Sequence, residues 1–181
     1  MKKSVTENAA VGILSEILAL ECGYNPQKAR QIRIAAALHD CGKKYIPDYI
    51  KNKPGKLTPQ EFEVMKTHTK LGYDLLCCLC GDLGEMARNI AFYHHEFWQG
   101  QGGYWGVPSS SLPRYVGIVS ICDVAVALLY RRVYKPSWPP EEILAYIKSM
   151  AGIQFCPDIT DKFISLVRHD ARISAIFMEV S

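Results

Sequence analysis

The stretch Ile34-Ala35-Ala36-Ala37-Leu38-His39-Asp40-Cys41-Gly42-Lys43 decides how the rest of the 181-residue chain is read. Between Lys28 and Leu38 apolar residues recur at three- and four-residue spacings, the mark of an amphipathic helix, and the run ends in an imidazole beside a carboxylate. A second run has the same form: Ile90-Ala91-Phe92-Tyr93 ends in His94-His95. Adjacent residues on a helix diverge by about 100°. Both members of such a dyad therefore serve one centre only where the helix end points into a cleft, and helix ends aimed at a common point suit a polynuclear site.

Working outward, His68 lies in mid-helix, and Asp123 is embedded in the apolar stretch Ile118–Leu129. A carboxylate there is costly to bury unless a metal or another cation pairs it. The fifth histidine, His169, sits in the polar segment Arg168-His169-Asp170 and reads as solvated. Imidazoles and carboxylates without thiolates suit iron, manganese or zinc. The two oxygens of Asp40 allow it to bridge two metals, and metals roughly 3.5–4 Å apart clamp both oxygens of an in-line phosphoryl displacement.

The remaining sequence is helical in pattern. Ala9–Leu20 precedes the breaker Gly23-Tyr24-Asn25-Pro26, and a Lys/Pro/Gly-rich loop covers Pro47 to Leu57. Thr58-Pro59-Gln60-Glu61 supplies an N-cap hydroxyl, a proline at the first helical position and a capping-box glutamate. That helix is predicted to run to about Cys80, the next over Gly84–Phe97, and a long one over Tyr115–Tyr134 after the loop Gln99–Pro113. Pro139-Pro140-Glu141-Glu142 opens a further helix, and Asp158 is expected to cap the last, Ile159–Arg168. No segment alternates as a strand would. The expectation is an all-α fold: one domain over residues 1–181, six to eight helices around a metal centre.

With 49% hydrophobic and 22% charged residues the composition is globular, and a net charge of +3 permits an anionic ligand without the basic clusters that duplex nucleic acid requires. No apolar run reaches the roughly 18 residues of a membrane span. The start lacks the pattern of a signal peptide, and seven cysteines form an odd set expected to be reduced, so the sequence reading is a cytoplasmic protein. Cys77, Cys78 and Cys80 are expected to pack as small hydrophobes at a helix end.

Read together, His39-Asp40-Cys41-Gly42-Lys43, Lys53-Pro54-Gly55-Lys56-Leu57-Thr58, Met65-Lys66-Thr67-His68, Tyr93-His94-His95-Glu96 and Gly102-Gly103-Tyr104 resemble the HD-GYP family of HD phosphohydrolases, over nearly the whole chain. The tail Gln154-Phe155-Cys156-Pro157-Asp158 is similar to the family's closing element. The resemblance implies two divalent metal ions, iron or manganese, and hydrolysis of cyclic di-GMP to the linear dinucleotide or GMP by a metal-activated hydroxide. His39, Asp40 and Asp123 would hold one metal, and Asp40, His68, His94 and His95 the second. Lys43, Arg132 and Lys135 match phosphate contacts, and Gly103 and Tyr104 match the substrate loop. Asp40 and Lys43 are thus the residues expected to carry the chemistry. A sensory or signalling partner protein and a homodimer fit the same reading.

The pattern departs at named places. A histidine usual thirty-two residues before His39 is Glu7, whose carboxylate can ligate iron or manganese in its stead. The signature loop reads Trp98-Gln99-Gly100 and Gly103-Tyr104-Trp105, with Trp105 where the family has proline, and two further family positions are Gly117 and Val126. These departures keep two alternatives open: another nucleotide or phosphoester as substrate, and a catalytically degenerate cyclic-dinucleotide-binding module.

Overall fold

In the computed structural model residues 6–130, 137–170 and 173 are described, and over them the protein is all-α as expected. Eight α-helices follow one another: α1 (Glu7–Glu21), α2 (Pro26–Ala37), α3 (Asp48–Lys51), α4 (Pro59–Leu75), α5 (Gly81–Tyr93), α6 (Arg114–Leu129), α7 (Pro140–Ser149) and α8 (Pro157–His169). Tight 3₁₀ turns occupy Cys41–Tyr45, Leu76–Cys78 and Ser109–Ser111. An isolated β-bridge joins Ala151 to Phe155.

Capping chemistry sets several boundaries. The Asn25 side chain accepts the Lys28 N–H at 2.8 Å, and Pro26 takes the first helical position of α2. At α4 both bonds of the capping box are present. The Glu61 N–H donates to Thr58 Oγ1 at 3.2 Å, and the Thr58 N–H donates to Glu61 Oε2 at 2.7 Å.

Several expected boundaries move: α5 covers Gly81–Tyr93 where Gly84–Phe97 was expected, and the short α3 forms within the expected loop Pro47 to Leu57. Helix α4 stops at Leu75 because the chain tightens into a 3₁₀ turn and Leu79 becomes extended. That turn carries Cys77, Cys78 and Cys80 to the surface, so they are exposed and do not pack in the core. Helix α6 ends at Leu129 with Tyr130 extended, and the rest of the predicted helix falls in residues outside the description. Asp158 lies inside the first turn of α8 and pairs with Arg114 and Lys162 instead of capping.

Helix α6 is apolar nearly all round, and a helix of that kind is buried on several sides. It packs against α1, α5, α7 and α8. Helix α5 contacts α2, α4 and α6, and α4 lies against α5 and the 3₁₀ turn at Cys41–Tyr45. The C-terminal ends of α2 and α5, the middle of α4 and the middle of α6 are thereby brought together. The closest approach is at Gly42: a Cβ there would stand 1.9 Å from the His68 carbonyl oxygen and 2.5 Å from the Gly72 nitrogen. Both obstacles are main chain, so the turn must back away from α4 to admit a methyl group. Gly42→Ala is expected to lower stability by about 3 kcal/mol, at the upper end of overpacking costs. Urea unfolding checks this, and a midpoint within error of wild type would refute the close packing.

Candidate metal centre

The His39-Asp40 dyad lies just past the end of α2, and His94-His95 lies just past α5. His68 projects from α4 and Asp123 from α6. Asp40 is the hub. His68 Nε2 stands 3.3 Å from Asp40 Oδ1 and His94 Nε2 3.8 Å from the same oxygen. His39 Nε2 stands 3.3 Å from Asp40 Oδ2 and 3.3 Å from Asp123 Oδ1. Ligating atoms of Asp40, His68, His94 and His95 lie within 4.8 Å of one another, as do those of His39, His94 and Asp123. The first group has the composition anticipated for the second metal. In the other, His94 joins His39 and Asp123.

Main-chain carbonyls fix how the imidazoles face. His39 Nδ1 lies 2.7 Å from the Ala36 carbonyl, His68 Nδ1 2.7 Å from that of Met65, and His94 Nδ1 3.0 Å from that of Ile90. A carbonyl oxygen only accepts, so each Nδ1 carries a proton and donates; in the neutral ring this leaves the Nε2 lone pair toward the centre, where a metal ion or, on His39 between two carboxylates, a second proton can take it. A lone pair 3.3 Å from a carboxylate oxygen repels it unless a cation lies between them. His39 Nε2, His68 Nε2, His94 Nε2 and Asp40 Oδ1 are four of the five buried side-chain polar atoms without a hydrogen-bond partner among the described residues. Donors about 2.1 Å from a shared ion, at octahedral or tetrahedral angles, stand about 3.0–3.4 Å apart. The spacing and the orphaned atoms both fit a metal ion.

The electrostatics point the same way. Burial disfavours a charged His39, yet the carboxylates of Asp40 and Asp123 outweigh burial and push its pKa up to about 10. Burial likewise works against charge on Asp40 and Asp123, but chiefly the His39 imidazolium holds both carboxyls well below the usual range. His94 is held neutral by burial and by the neighbouring imidazoles. Burial takes His95 down to about 4. The carboxylates thus seek a cation, and two helix C-termini, each carrying partial negative charge, face the same place.

A cavity of about 860 Å³ opens over these groups, within the roughly 300–1,000 Å³ of small-molecule sites. Asp40, Lys43, His68, His95, Tyr104, Asp123 and Glu7 all line it. Lys43 Nζ lies 2.5 Å from Asp40 Oδ2. Glu7 is on the cavity wall at the start of α1 but belongs to neither close group of ligating atoms. The Tyr104 ring centroid lies 4.3 Å from that of His95, and burial pushes its phenol pKa up to about 12. Gly103 faces inward: a Cβ there would be 2.7 Å from Glu96 Oε2, so this glycine makes room for a carboxylate of the chain itself. Arg132 and Lys135 lie outside the described residues.

Sequence reasoning gave no role to Glu96, which is 1% exposed, or to Phe62 and Met65, which line the cavity. The signal for Glu96 was available: an acidic residue directly after the His94-His95 dyad and ahead of a glycine-rich loop. Mn²⁺ at a hundred times its dissociation constant is expected to stabilise the folded chain by about 2.7 kcal/mol. That corresponds to about 5–10 °C in melting temperature for a domain of this size. His68→Ala and Asp40→Asn should flatten the shift in calorimetry, and a wild-type melting temperature indifferent to Mn²⁺, Fe²⁺ and Zn²⁺ alike would count against the site.

A family model described as HD domain matches residues 9–128, a span that contains every cluster residue from His39 to Asp123. A Thermotoga maritima protein named cyclic di-GMP phosphodiesterase is 39% identical over 156 residues, covering 86% of this chain and 42% of that protein. A Vibrio cholerae protein named 3'3'-cGAMP-specific phosphodiesterase 2 is 36% identical over 151 residues, covering 83% of this chain and 29% of that protein. The chain thus spans less than half the length of these curated relatives. In fold it is similar to an HDG"Y"P protein from Bdellovibrio bacteriovorus, with a TM-score of 0.70 at 19% identity over 90% of this chain and 51% of that one. The resemblance read from the motifs is borne out, and the chain belongs to the HD domain family.

Proposed function

We propose that this chain is a metal-dependent phosphodiesterase of the HD-GYP type that opens cyclic di-GMP to the linear dinucleotide or GMP. The observation that carries the reading is the convergence of four histidines and two carboxylates beneath a cavity large enough for a nucleotide-sized ligand. The named activity of the Thermotoga maritima relative supports the substrate. In this reading His39, Asp40 and Asp123 would hold one metal and Asp40, His68, His94 and His95 the other, each oxygen of Asp40 serving one side, with Glu7 on the same cavity wall as a further carboxylate for the first. Iron or manganese suits such nitrogen and oxygen donors. All seven cysteines are free thiols, which supports a cytoplasmic address.

Bound divalent ions supply Lewis acidity and make hydroxide available near neutral pH. The chain's own residues do the rest. Lys43, two-thirds buried and beside Asp40, presents a compact ammonium to a phosphodiester oxygen. Tyr104 keeps its proton at neutral pH, since burial raises its pKa, and can donate a hydrogen bond into the cavity. Val124, Ala127 and Leu128 of α6, with Phe62 and Met65 of α4, give apolar surface against which a base can lie.

Cyclic di-GMP incubated with manganese-loaded protein is expected to give linear dinucleotide or GMP by chromatography. Asp40→Ala should cut the rate at least a hundredfold, the scale of removing one transition-state contact in related catalysis. Lys43→Gln should raise KM about tenfold, as expected for loss of a charged hydrogen bond. Metal-replete protein that turns over no cyclic dinucleotide would overturn the proposal. The similarity to a relative named for 3'3'-cGAMP favours that dinucleotide as a second substrate to place beside the first.

A further inference from the structure

We propose that Trp105 and Glu96 are positioning residues: together they pin the loop after α5 so that Tyr104 is held against His95. The Glu96 carboxylate is buried and accepts two main-chain N–H groups of the loop, from Trp105 at 2.7 Å and from Val107 at 2.8 Å. A buried carboxylate that accepts two amides folds the chain around itself, since leaving either oxygen bare is costly. Gly103 has no room for a side chain against the same carboxylate.

Trp105 ties the folded loop to the two helices that bear the histidines. Its indole Nε1–H donates to Thr69 Oγ1 at 3.2 Å, on the residue after His68. Its ring stacks on Phe92, two residues before His94, with centroids 5.5 Å apart and planes 24° apart. Lys66 Nζ stands 5.2 Å from the same ring. Thr69 is buried, and its hydroxyl in turn donates to the Lys66 carbonyl at 2.9 Å, so the acceptor is itself held in place. Tyr104, between the Trp105 anchor and Gly103, ends with its ring 4.3 Å from His95 and 6.1 Å from His68. Where the HD-GYP pattern fixes this loop with the ring of a proline, this chain fixes it by contacts at Trp105.

The test has one arm that needs neither metal nor substrate and one that rests on the proposed phosphodiesterase reading. In metal-free protein the Trp105 and Val107 amides are expected to exchange slowly. Glu96→Gln, whose amide nitrogen cannot accept, should speed at least one of them about tenfold, as loss of a charged hydrogen bond implies. Trp105→Ala should abolish the ring-current shift that Tyr104 places on the His95 ring protons. Trp105→Phe keeps the stacking and should retain most of that shift, which guards against a mere folding defect. In the second arm Trp105→Ala should raise KM for the cyclic dinucleotide about tenfold, leaving kcat within about threefold and metal affinity unchanged, as expected for lost substrate positioning. An unaltered His95 signal in Trp105→Ala, or a change in melting temperature alone, would overturn the positioning role. Absence of turnover by wild type would instead overturn the substrate assignment, leaving the first arm to decide the loop.

Discussion

Three imidazoles are committed, by bonds to main-chain carbonyls, to presenting bare nitrogens to two carboxylates. Those carbonyls belong to residues three or four positions back, so the last turns of α2 and α5 and a middle turn of α4 each set one donor. Such a gathering is unfavourable in itself: lone pairs face negative oxygens at 3.3 Å in a buried space. Only a cation reconciles it. A proton on His39 or the ammonium of Lys43 can do so in part, which is why His39 is drawn so far above its ordinary pKa. The helices that surround the site are arranged to sustain this concentration of donors, and the large apolar burial of α1, α5 and α6 provides the stability that makes it tolerable.

Much of this was legible in the chain, for physical reasons that differ from residue to residue. Asp123 could be picked out because it is the one charge in α6 after Arg114, in a helix too apolar to be anything but central. The start of α4 was legible because capping is local chemistry, written in four consecutive residues. The helix ends at Leu75 and Tyr93 were less so, since the pattern of apolar residues continues past them and only tertiary packing ends the helices there. The exposure of Cys77, Cys78 and Cys80 follows from that turn and could not be read from their composition.

Glu96 and Trp105 show the opposite case. Their partners are the Trp105 and Val107 amides and the Thr69 hydroxyl, up to 36 residues away in sequence, and no periodicity encodes such contacts. Gly103 was matched to the substrate loop, but the group it makes room for is a carboxylate from the same chain. The grouping of His94 with His39 and Asp123, in addition to the other histidines, likewise depends on where the end of α5 falls between α4 and α6.

The contact at Gly42 has a mechanical meaning. The turn that follows Asp40 touches α4 main chain to main chain, with no side chain between them to act as a spring. Asp40 and His68 therefore ride on one stiff body. Asp123 sits on another, reached through the packing of α6 against α1 and α5. The Asp40–His68 separation is thus set by a main-chain contact, whereas that between Asp123 and the other donors is set by the packing of whole helices.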